Sequence, residues 1–405
     1  MAEKRRILHI DLDAFFCAVE ELRDPTLKSK PFAVGGRPDQ RGVVASCSYA
    51  ARKFGVRSAM PMAQAVRICP NLIIVRGKYR DYSDASRKIM AYLKSLTDQI
   101  EQISIDEAFI DITLLAESSQ QIAMKLQKHV NLTFGLPCSI GIATNKLVAK
   151  IATDFGKVER GFSDRPPNAI YIVPDGEEAT FLAPLPVKAL WGIGPKNAEK
   201  LKEMGIFNIG DLTKMTEYEA TRHFGKWGYS IVKRAQGIDD RPIFLKHVAK
   251  SVSQERTFAE DVRSEDILIE TIKKLSKRIS ERLKNKHIQG TTIRIKIRWS
   301  DFTTVTRQMT LQQPTNDAES ISYNALSLFK KAWKIGEPIR LLGVGVSSLA
   351  PEQLSLWDHR NNHAQVKDSQ RLISAIRDLK EKFGDDVLKW GDDIENINAQ
   401  GLWEE

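Results

Sequence analysis

Short apolar runs and amphipathic stretches alternate along residues 1–172. Strands are predicted at 7–10, 42–45 and 138–143, and two short strands joined by a tight turn at 100–112. Apolar spacing and breaker residues predict helices at 14–22, 49–55, 81–96, 119–134 and 145–155. No dinucleotide-binding fingerprint is obvious among them. This alternation indicates a mixed core of helices and strands, either α+β or α/β.

A helix, a hairpin and a second helix are predicted at 185–212. The turn between them has the sequence GIGP, in which proline favours the first position of a helix and glycine permits the tight turn before it. Amides exposed at such a helix start attract anions, so Gly192, Gly194 and Lys196 are candidate phosphate contacts. Ordinary helix turns are the alternative, both here and for a looser copy at 224–229.

A helix at 264–284 precedes a strictly alternating strand at 292–299. Its apolar residues point one way, whereas Arg294, Lys296 and Arg298 point the other way, about 6.6 Å apart. From the middle of the helix to the end of the strand there are ten Lys or Arg and one acidic residue. One explanation is a solvent-exposed edge strand, because such strands carry charges that prevent aggregation. A row of cations in a basic chain favours contact with a nucleic-acid backbone.

Length and charge extend this picture. The 405 residues predict two to four domains, and 42% hydrophobic with 28% charged residues excludes a wholly disordered or collagen-like chain. Net charge is +10, yet residues 352–405 hold 7 Lys and Arg against 12 Asp and Glu. A basic body with an acidic tail indicates a polyanion-binding protein, although a solubilising excess of charge is the alternative.

Two absences in the sequence bear on the location of the protein and on the state of its cysteines. No apolar run is long enough to span a membrane or to act as a secretion signal, so a cytoplasmic protein without membrane contact is predicted. The four cysteines are too widely spaced for a CxxC site and too few for a disulfide framework. They are therefore predicted to be reduced, buried thiols.

Two acidic pairs stand at strand ends, Asp11 with Asp13 and Asp106 with Glu107. Aspartates are common turn residues, so either pair alone is a weak signal. Together, on adjacent strands, they could hold two divalent ions about 3.5 to 4 Å apart, the arrangement used in phosphoryl transfer. Oxygen ligands suit Mg²⁺. The residues alone thus predict metal-assisted phosphoryl chemistry on a polyanion.

Four motifs carry a resemblance to a known family, and they occur in order at 10–20 (IDLDAFFCAVE), 48–56 (SYAARKFGV), 104–109 (SIDEAF) and 141–146 (GIATNK). The chain resembles the Y-family translesion DNA polymerases, of the bacterial DNA polymerase IV type, over residues 5 to about 357. The resemblance implies an α+β multidomain right-hand polymerase with palm, small fingers, helix-hairpin-helix thumb and little finger. The implied boundaries are 1–14 and 80–172 for the palm, 15–79 for the fingers, 173–240 for the thumb, 241–248 for a linker, 249–351 for the little finger and 352–405 for an acidic tail.

Carried over residue by residue, the resemblance makes Asp11, Asp106 and Glu107 the catalytic carboxylates. These three carboxylates and the Leu12 carbonyl are implied to bind two Mg²⁺ ions per active site. Mn²⁺ is implied to substitute for Mg²⁺. The implied reaction transfers a nucleotide from a dNTP to a primer 3′-hydroxyl. Asp13 is expected to support the loop by hydrogen bonding.

Tyr49, Arg52 and Lys157 are implied to bind the triphosphate, although the loop that is expected at 157–161 is longer and more acidic than the family's usual pattern. Phe16 aligns with the steric gate against ribose, with Phe15 as the alternative. Small residues align over the nascent base pair, and no segment is left for a proofreading exonuclease. Low-fidelity synthesis in DNA damage tolerance is the implied result.

The tail contains a motif similar to the pentapeptide by which bacterial polymerases bind the sliding clamp. Its candidate contacts are Gln353, Leu354, Leu356 and Trp357, and 400–403 is a weaker rival. The implied partners are primer-template DNA, dNTP and the clamp, and the protein is expected to be a monomer. Two other functions stay open on sequence: a two-metal nuclease or nucleotidyl cyclase, and a non-catalytic DNA-binding scaffold.

Overall fold

The computed structural model describes residues 5–161, 165–245, 248–352 and 382. Its first sheet has five strands in the order β5-β6-β1-β7-β8. The strands are β1 (Ile7–Leu12), β5 (Ile100–Gln102), β6 (Glu107–Asp111), β7 (Cys138–Ala143) and β8 (Ile170–Ile172). Only β7 and β8 are parallel, and the other pairs are antiparallel. The strands predicted at 7–10, 100–112 and 138–143 are confirmed.

Helices cover both faces of this sheet because its strands are apolar on both sides. On one face lie α1 (Phe15–Arg23), α4 (Tyr79–Leu96) and α5 (Ser119–Phe134), which share a core with Leu8 and Ile10. On the other face α6 (Lys146–Glu159) packs with Ile7 and Phe109. Helix α6 continues four residues beyond its predicted end. Lys157 therefore lies in its last turn, and the expectation of a loop starting at 157 was wrong.

Helix α6 sits unusually close to the sheet at Gly141 of β7. A Cβ atom there would lie 2.2 Å from the Ala149 carbonyl oxygen and 2.5 Å from the Thr153 nitrogen. Real side chains do not tolerate such approaches, so only glycine allows this packing. The short distance brings the side chains of α6 within reach of the neighbouring strands.

A three-stranded sheet of order β3-β2-β4 forms a separate small unit. It consists of β2 (Phe32–Gly35), β3 (Val44–Cys47) and β4 (Ile73–Val75), with helices α2 (Tyr49–Lys53) and α3 (Met62–Ile68). The strand predicted at 42–45 begins two residues later, and β2, β4 and α3 were not predicted. Strands of three or four residues are too short to show a period.

Five short helices follow, namely α7 (Glu178–Leu182), α8 (Pro195–Glu203), α9 (Ile209–Leu212), α10 (Glu217–Phe224) and α11 (Lys226–Ala235). Pro195 occupies the first turn of α8, as predicted. The helix expected from residue 185 is only a 3₁₀ turn, Val187–Ala189. Pro184 and Pro186 explain the difference, because neither has an N–H to donate within a helix.

The last described unit is a four-stranded antiparallel sheet of order β11-β10-β12-β9. Its strands are β9 (Ser251–Val262), β10 (Ile288–Trp299), β11 (Thr304–Thr315) and β12 (Ile339–Pro351), and both of its helices, α12 (Glu265–Lys284) and α13 (Ala318–Ala332), pack on one face. The predicted alternation is confirmed, since Ile293, Ile295 and Ile297 are fully buried beneath those helices. The four cysteines are buried and free, as predicted. Among the described helices, none is both long and apolar enough to cross a membrane.

A buried ion pair anchors the chain between α11 and β9 to the first sheet. Lys146 Nζ lies 2.8 Å from Glu101 Oε2, and both side chains are at most 5% exposed. The same carboxylate accepts a hydrogen bond from the Phe244 amide at 2.9 Å, while the Lys146 ammonium lies over the Phe244 ring. One lysine thus joins helix, strand and connecting segment.

Removing this lysine should loosen that part of the molecule. Lys146→Met removes the ammonium from a buried ion pair, and losing one partner of such a pair typically costs about 3 to 5 kcal/mol. We expect the opening free energy of β5 and β6 amides, measured by hydrogen exchange with mass spectrometry, to fall by about that amount. Adding Glu101→Gln should restore most of it.

The matched control for this change is Lys125→Met. Lys125 pairs with Glu117 at 2.7 Å on the exposed surface, where a pair contributes at most about 1 kcal/mol. Equal exchange in the two single variants would show that the buried pair does not hold the sheet.

Candidate active site

Strands β1 and β6 bring the two predicted acidic pairs together. Asp11 lies directly opposite Glu107 in the antiparallel register. The Leu12 amide donates to the Asp106 carbonyl at 3.0 Å, which places the second pair at the same end of the sheet. The Ser104 hydroxyl accepts from the Glu107 amide at 3.0 Å and donates to the Asp106 carboxylate. A tight turn therefore fixes the backbone of this acidic end.

Two lysines of α6 reach these carboxylates. Lys157 Nζ lies 2.5 Å from Asp11 Oδ1 and 3.4 Å from Asp13 Oδ1. Lys150 Nζ lies 3.1 Å from Glu107 Oε1 and 3.5 Å from Asp154. Positions 150, 154 and 157 share one helix face. Lys150 and Asp154 were not predicted as site residues, but charged residues at this spacing on an otherwise apolar helix were the available signal.

Asp13 is fully buried and serves the backbone around it. Its carboxylate accepts from the Ser139 hydroxyl at 2.9 Å and from the Asn168 amide at 3.0 Å. These bonds join the end of β1 to β7 and to the segment before β8. This geometry fits the supporting role that was expected for Asp13.

The crowded carboxyls have displaced pKa values. Burial raises the pKa of Glu107 to about 7, with the Lys150 ammonium opposing and Asp11 adding to the rise. Burial acts the same way on Asp11, but Lys157 and a hydrogen bond from Glu107 outweigh it and lower the pKa of Asp11. Burial also raises the pKa of Asp106. In the facing pair, Glu107 is therefore shifted toward its protonated form and Asp11 toward its ionised form.

Behind this pair lies a neutral histidine. Burial lowers the pKa of His9 to about 3, and its Nδ1 lies 2.8 Å from the Thr153 hydroxyl oxygen. The ring contacts Phe109 with a centroid separation of 4.8 Å. His9 thus adds no charge to the acidic site in the neutral pH range.

The acidic end offers oxygen ligands that suit a divalent cation, but its carboxylates are not gathered around one point. Within the described part of the chain, no three His, Cys, Asp or Glu side chains are arranged to hold a metal ion at once. Asp11 and Glu107 are instead engaged by ammonium groups. The donors still fit a hard cation in their chemistry, because Asp11, Asp106 and Glu107 lie at the same end of the sheet and carboxylate oxygens are the ligands that such an ion prefers.

A pocket of about 330 Å³ opens beside the carboxylates. It gathers all the predicted catalytic, gate and nucleotide-binding residues except Glu107, namely Asp11, Leu12, Phe16, Tyr49, Arg52, Asp106 and Lys157. Its lining also includes Phe15, Ser58 and Asp154. The Arg52 guanidinium lies 4.5 Å from the centre of the Tyr49 ring. A pocket that is lined by both acids and cations matches a nucleotide triphosphate that is bound through its phosphates.

Phe15 and Phe16 occupy different surroundings. Phe15 is 2% exposed and belongs to the core beneath α1, whereas Phe16 is only half-buried. The Phe16 ring stacks on Tyr82 with a centroid separation of 4.3 Å, and the Tyr82 hydroxyl donates to Glu20 at 2.5 Å. The more exposed ring of the two thus has a rigid support.

The candidate DNA contacts lie on two other units. Gly192 has φ of +102° and Gly194 caps α8, and Lys196 is exposed in its first turn. On β10, Arg294 is exposed, but the neighbouring cations have internal partners. Lys296 pairs with Glu255 at 3.0 Å, and the Arg298 side chain donates to Thr304 at 2.8 Å. The three cations therefore differ in their surroundings, and their contact with DNA stays a prediction.

The predicted clamp contacts Gln353, Leu354, Leu356 and Trp357 lie outside the described residues, as does the rival motif at 400–403. Nothing in the structure bears on them. They stay a prediction from sequence.

Comparison with known proteins identifies the family. Models of the impB/mucB/samB family match residues 10–154, those of its C-terminal domain match 249–356, and those of its helix-hairpin-helix motif match 175–206. DNA polymerase IV of Listeria innocua is 39% identical over 354 residues, which is 87% of this chain and 97% of that protein. DNA polymerase IV of Dehalococcoides mccartyi is 37% identical over 391 residues, 96% and 97% respectively.

A solved structure agrees with these matches. A Y-family DNA polymerase chimera superimposes with a TM-score of 0.74 at 26% identity, covering 85% of this chain and 99% of its own. The fold is thus that of a right-hand polymerase with palm, fingers, helix-hairpin-helix thumb and little finger, as predicted. The chain belongs to the Y family of DNA-directed DNA polymerases, in its DNA polymerase IV branch.

Proposed function

We propose that this chain performs low-fidelity, template-directed DNA synthesis across damaged templates, transferring nucleotides from dNTPs to a primer 3′-hydroxyl. One observation carries the proposal: the same pocket joins carboxylates, the cationic Arg52 and Lys157, and the half-buried Phe16. A two-metal nuclease or cyclase needs the carboxylates but has no use for a ring against the sugar. A non-catalytic scaffold gives no reason for the desolvated carboxyl pair.

In this proposal the chain's own residues bind and orient the substrates. Arg52, Tyr49 and Lys157 hold the triphosphate, which places the α-phosphate beside the acidic end of β1 and β6. Two divalent cations, Mg²⁺ or Mn²⁺, held by Asp11, Asp106, Glu107 and the Leu12 carbonyl, would lower the pKa of the 3′-hydroxyl and neutralise the charge of the phosphates. Ser104 keeps Asp106 and Glu107 in place throughout.

Sugar selection is assigned to Phe16. Its stacking on Tyr82 gives the ring a backing on one side, so a ribose 2′-hydroxyl that met the ring could not push it aside at low cost. The Tyr82 hydroxyl is held in turn by Glu20. Phe15 also lines the pocket, but it is almost fully buried in the core and is therefore assigned a packing role.

The DNA grip is divided between the thumb and the little finger. Gly192, Gly194 and Lys196 offer backbone amides and a cation to one stretch of phosphates. The open face of β10 offers Arg294, Lys296 and Arg298 to another. Because Glu255 already neutralises Lys296, that cation must change partner before it can add to the grip.

The domain boundaries stated from sequence are proposed unchanged. They are supported by the four units: the five-stranded sheet lies in the palm, the three-stranded sheet in the fingers, α7 to α11 in the thumb and the four-stranded sheet in the little finger. We further propose a cytoplasmic monomer that takes up primer-template DNA. Light scattering of the purified chain tests the monomer, and cell fractionation tests its location.

The central test is primer extension by an Asp106→Asn/Glu107→Gln variant. Loss of both carboxylates should lower the rate at least about 10²-fold, while DNA affinity changes little because the basic surfaces are untouched. The exposed Asp98→Asn, just before β5, is the matched control. Extension above a tenth of the unchanged chain's rate would contradict the assignment, and primer degradation or cyclic nucleotide would favour the rival enzymes.

The gate is tested by comparing ribonucleotide and deoxynucleotide use. Phe16→Ala should lower the preference for deoxynucleotides on the order of 10²-fold in kcat/KM, because the Phe16 ring is expected to exclude only the ribose 2′-hydroxyl. Phe15→Ala should instead cost about 3 to 5 kcal/mol of stability and keep the sugar preference. Unchanged selectivity in Phe16→Ala would remove it from the site.

The DNA face is tested through the salt dependence of duplex binding. Arg294→Gln should flatten the slope of log affinity against log salt by about 0.9, the share of one phosphate contact. Glu255→Gln frees Lys296 and should steepen the slope while tightening binding. Glu281→Gln, on α12 behind the sheet, is the control. If Glu255→Gln and Glu281→Gln change the slope equally, Lys296 does not contact a phosphate.

The clamp motif is tested by Leu356→Ala/Trp357→Ala. Tethering raises local concentration without a new DNA contact, so extension on a bare template should stay as it was while stimulation by a loaded bacterial sliding clamp disappears. Stimulation that survives this change but is lost on altering Leu402 and Trp403 would assign the anchor to the terminal motif.

A further inference from the structure

Ammonium groups occupy the places where the proposed function requires cation charge. Lys157 Nζ is 2.5 Å from Asp11 Oδ1, and Lys150 Nζ is 3.1 Å from Glu107 Oε1. Two of the three proposed metal-binding carboxylates thus already have a counter-ion supplied by α6. A divalent cation that approaches Asp11 has to compete with the Lys157 ammonium for the same oxygen.

The two lysines are held differently. Lys150 lies in the middle of α6, between Glu107 and Asp154, and its side chain is 14% exposed. Lys157 lies in the last turn of α6 and lines the nucleotide pocket together with its partner Asp11. Of these two lysines only Lys157 lines the pocket, so it can contact both a carboxylate and a triphosphate bound there.

Asp13 gives Lys157 a fixed second partner. Its carboxylate is 3.4 Å from Nζ and is immobilised by Ser139 and Asn168. A lysine side chain is long and rotates freely at its end. The ammonium can therefore turn from Asp11 toward the pocket while Asp13 keeps it nearby.

We propose that Lys157 is an exchangeable counter-ion that couples nucleotide binding to cation binding. In the free protein it neutralises Asp11. When a triphosphate enters, Lys157 transfers its ion pair to the phosphates and leaves the Asp11 carboxylate to the divalent cation. By linkage, the cation must strengthen nucleotide binding by the same factor. The inference rests on the proposed function, since the exchange requires a nucleotide in this pocket.

The experiment measures Ca²⁺ binding to the full chain by calorimetry. It is done without nucleotide, and then with a dideoxy-terminated primer-template and the complementary dNTP at one fixed concentration. Lys157→Met should tighten Ca²⁺ binding about tenfold without nucleotide, in the range of typical coupling. With nucleotide it should give no tightening, because Lys157 has already left Asp11. Chelation by free dNTP cancels, because the chains are compared at equal nucleotide concentration.

Two further variants sharpen the result. Lys150→Met should change Ca²⁺ affinity equally in both states, because Lys150 keeps its partners, and Lys125→Met should change it in neither. The exchange is overturned if Lys157→Met tightens Ca²⁺ binding equally with and without nucleotide. It is also overturned if the variant does not tighten Ca²⁺ binding in the absence of nucleotide. Primer extension by the unchanged chain is measured on the same preparation. Extension together with an overturned exchange leaves the proposed function standing, whereas a chain that fails to extend removes that function itself.

Discussion

The structure depends on charge pairing between one face of α6 and three strands of the palm sheet. Lys146, Lys150 and Lys157 pair in turn with Glu101 of β5, Glu107 of β6 and Asp11 of β1. Buried carboxylates at neighbouring strand ends repel one another, and each would cost several kcal/mol without a partner. The three lysines let an acidic sheet end exist before any cation or nucleotide arrives.

This pairing needs a helix that lies very close to the sheet. Gly141 provides the space, because any side chain there would collide with the backbone of α6. Thr153 then fills the interface, where its hydroxyl contacts His9. Packing and electrostatics are therefore linked at this point: a larger residue at 141 would move the lysines away from their carboxylates as well as disturbing the core.

Cations of the little finger also have partners within the protein, but they lie on an exposed surface. Of its β10 cations, Lys296 is neutralised by Glu255, and Arg298 donates a hydrogen bond to the neutral Thr304 hydroxyl. Exposed pairs are weak, so phosphates can replace the internal partner at little cost. In the palm the lysine pairs are more buried, so an ammonium can leave its carboxylate only when other charges replace both partners. The exposed pairs of the little finger therefore suit reversible DNA binding, whereas the more buried pairs of the palm suit a site where nucleotide and cation bind together.

The sequence by itself determined the local elements and the chemistry of the site. Strands β1, β6 and β7, helices α5 and α12, and the acidic pairs at 11 and 106 were all predicted, because periodicity and strand-end acids are short-range signals. The motifs identified the family. Elements shorter than about five residues, such as β2 and β4, escaped because they complete no period. The edge strand β11 escaped because it is exposed along most of its length.

Only the tertiary structure decided which charges meet. Lys150 and Glu107 are far apart along the chain, as are Lys296 and Glu255, and no periodic pattern states such partners. Strand register places Asp11 opposite Glu107, and the close approach at Gly141 sets which turn of α6 reaches them. Side-chain type is a property of each residue, whereas pairing and pKa depend on distances that exist only after the sheet and the helix have packed.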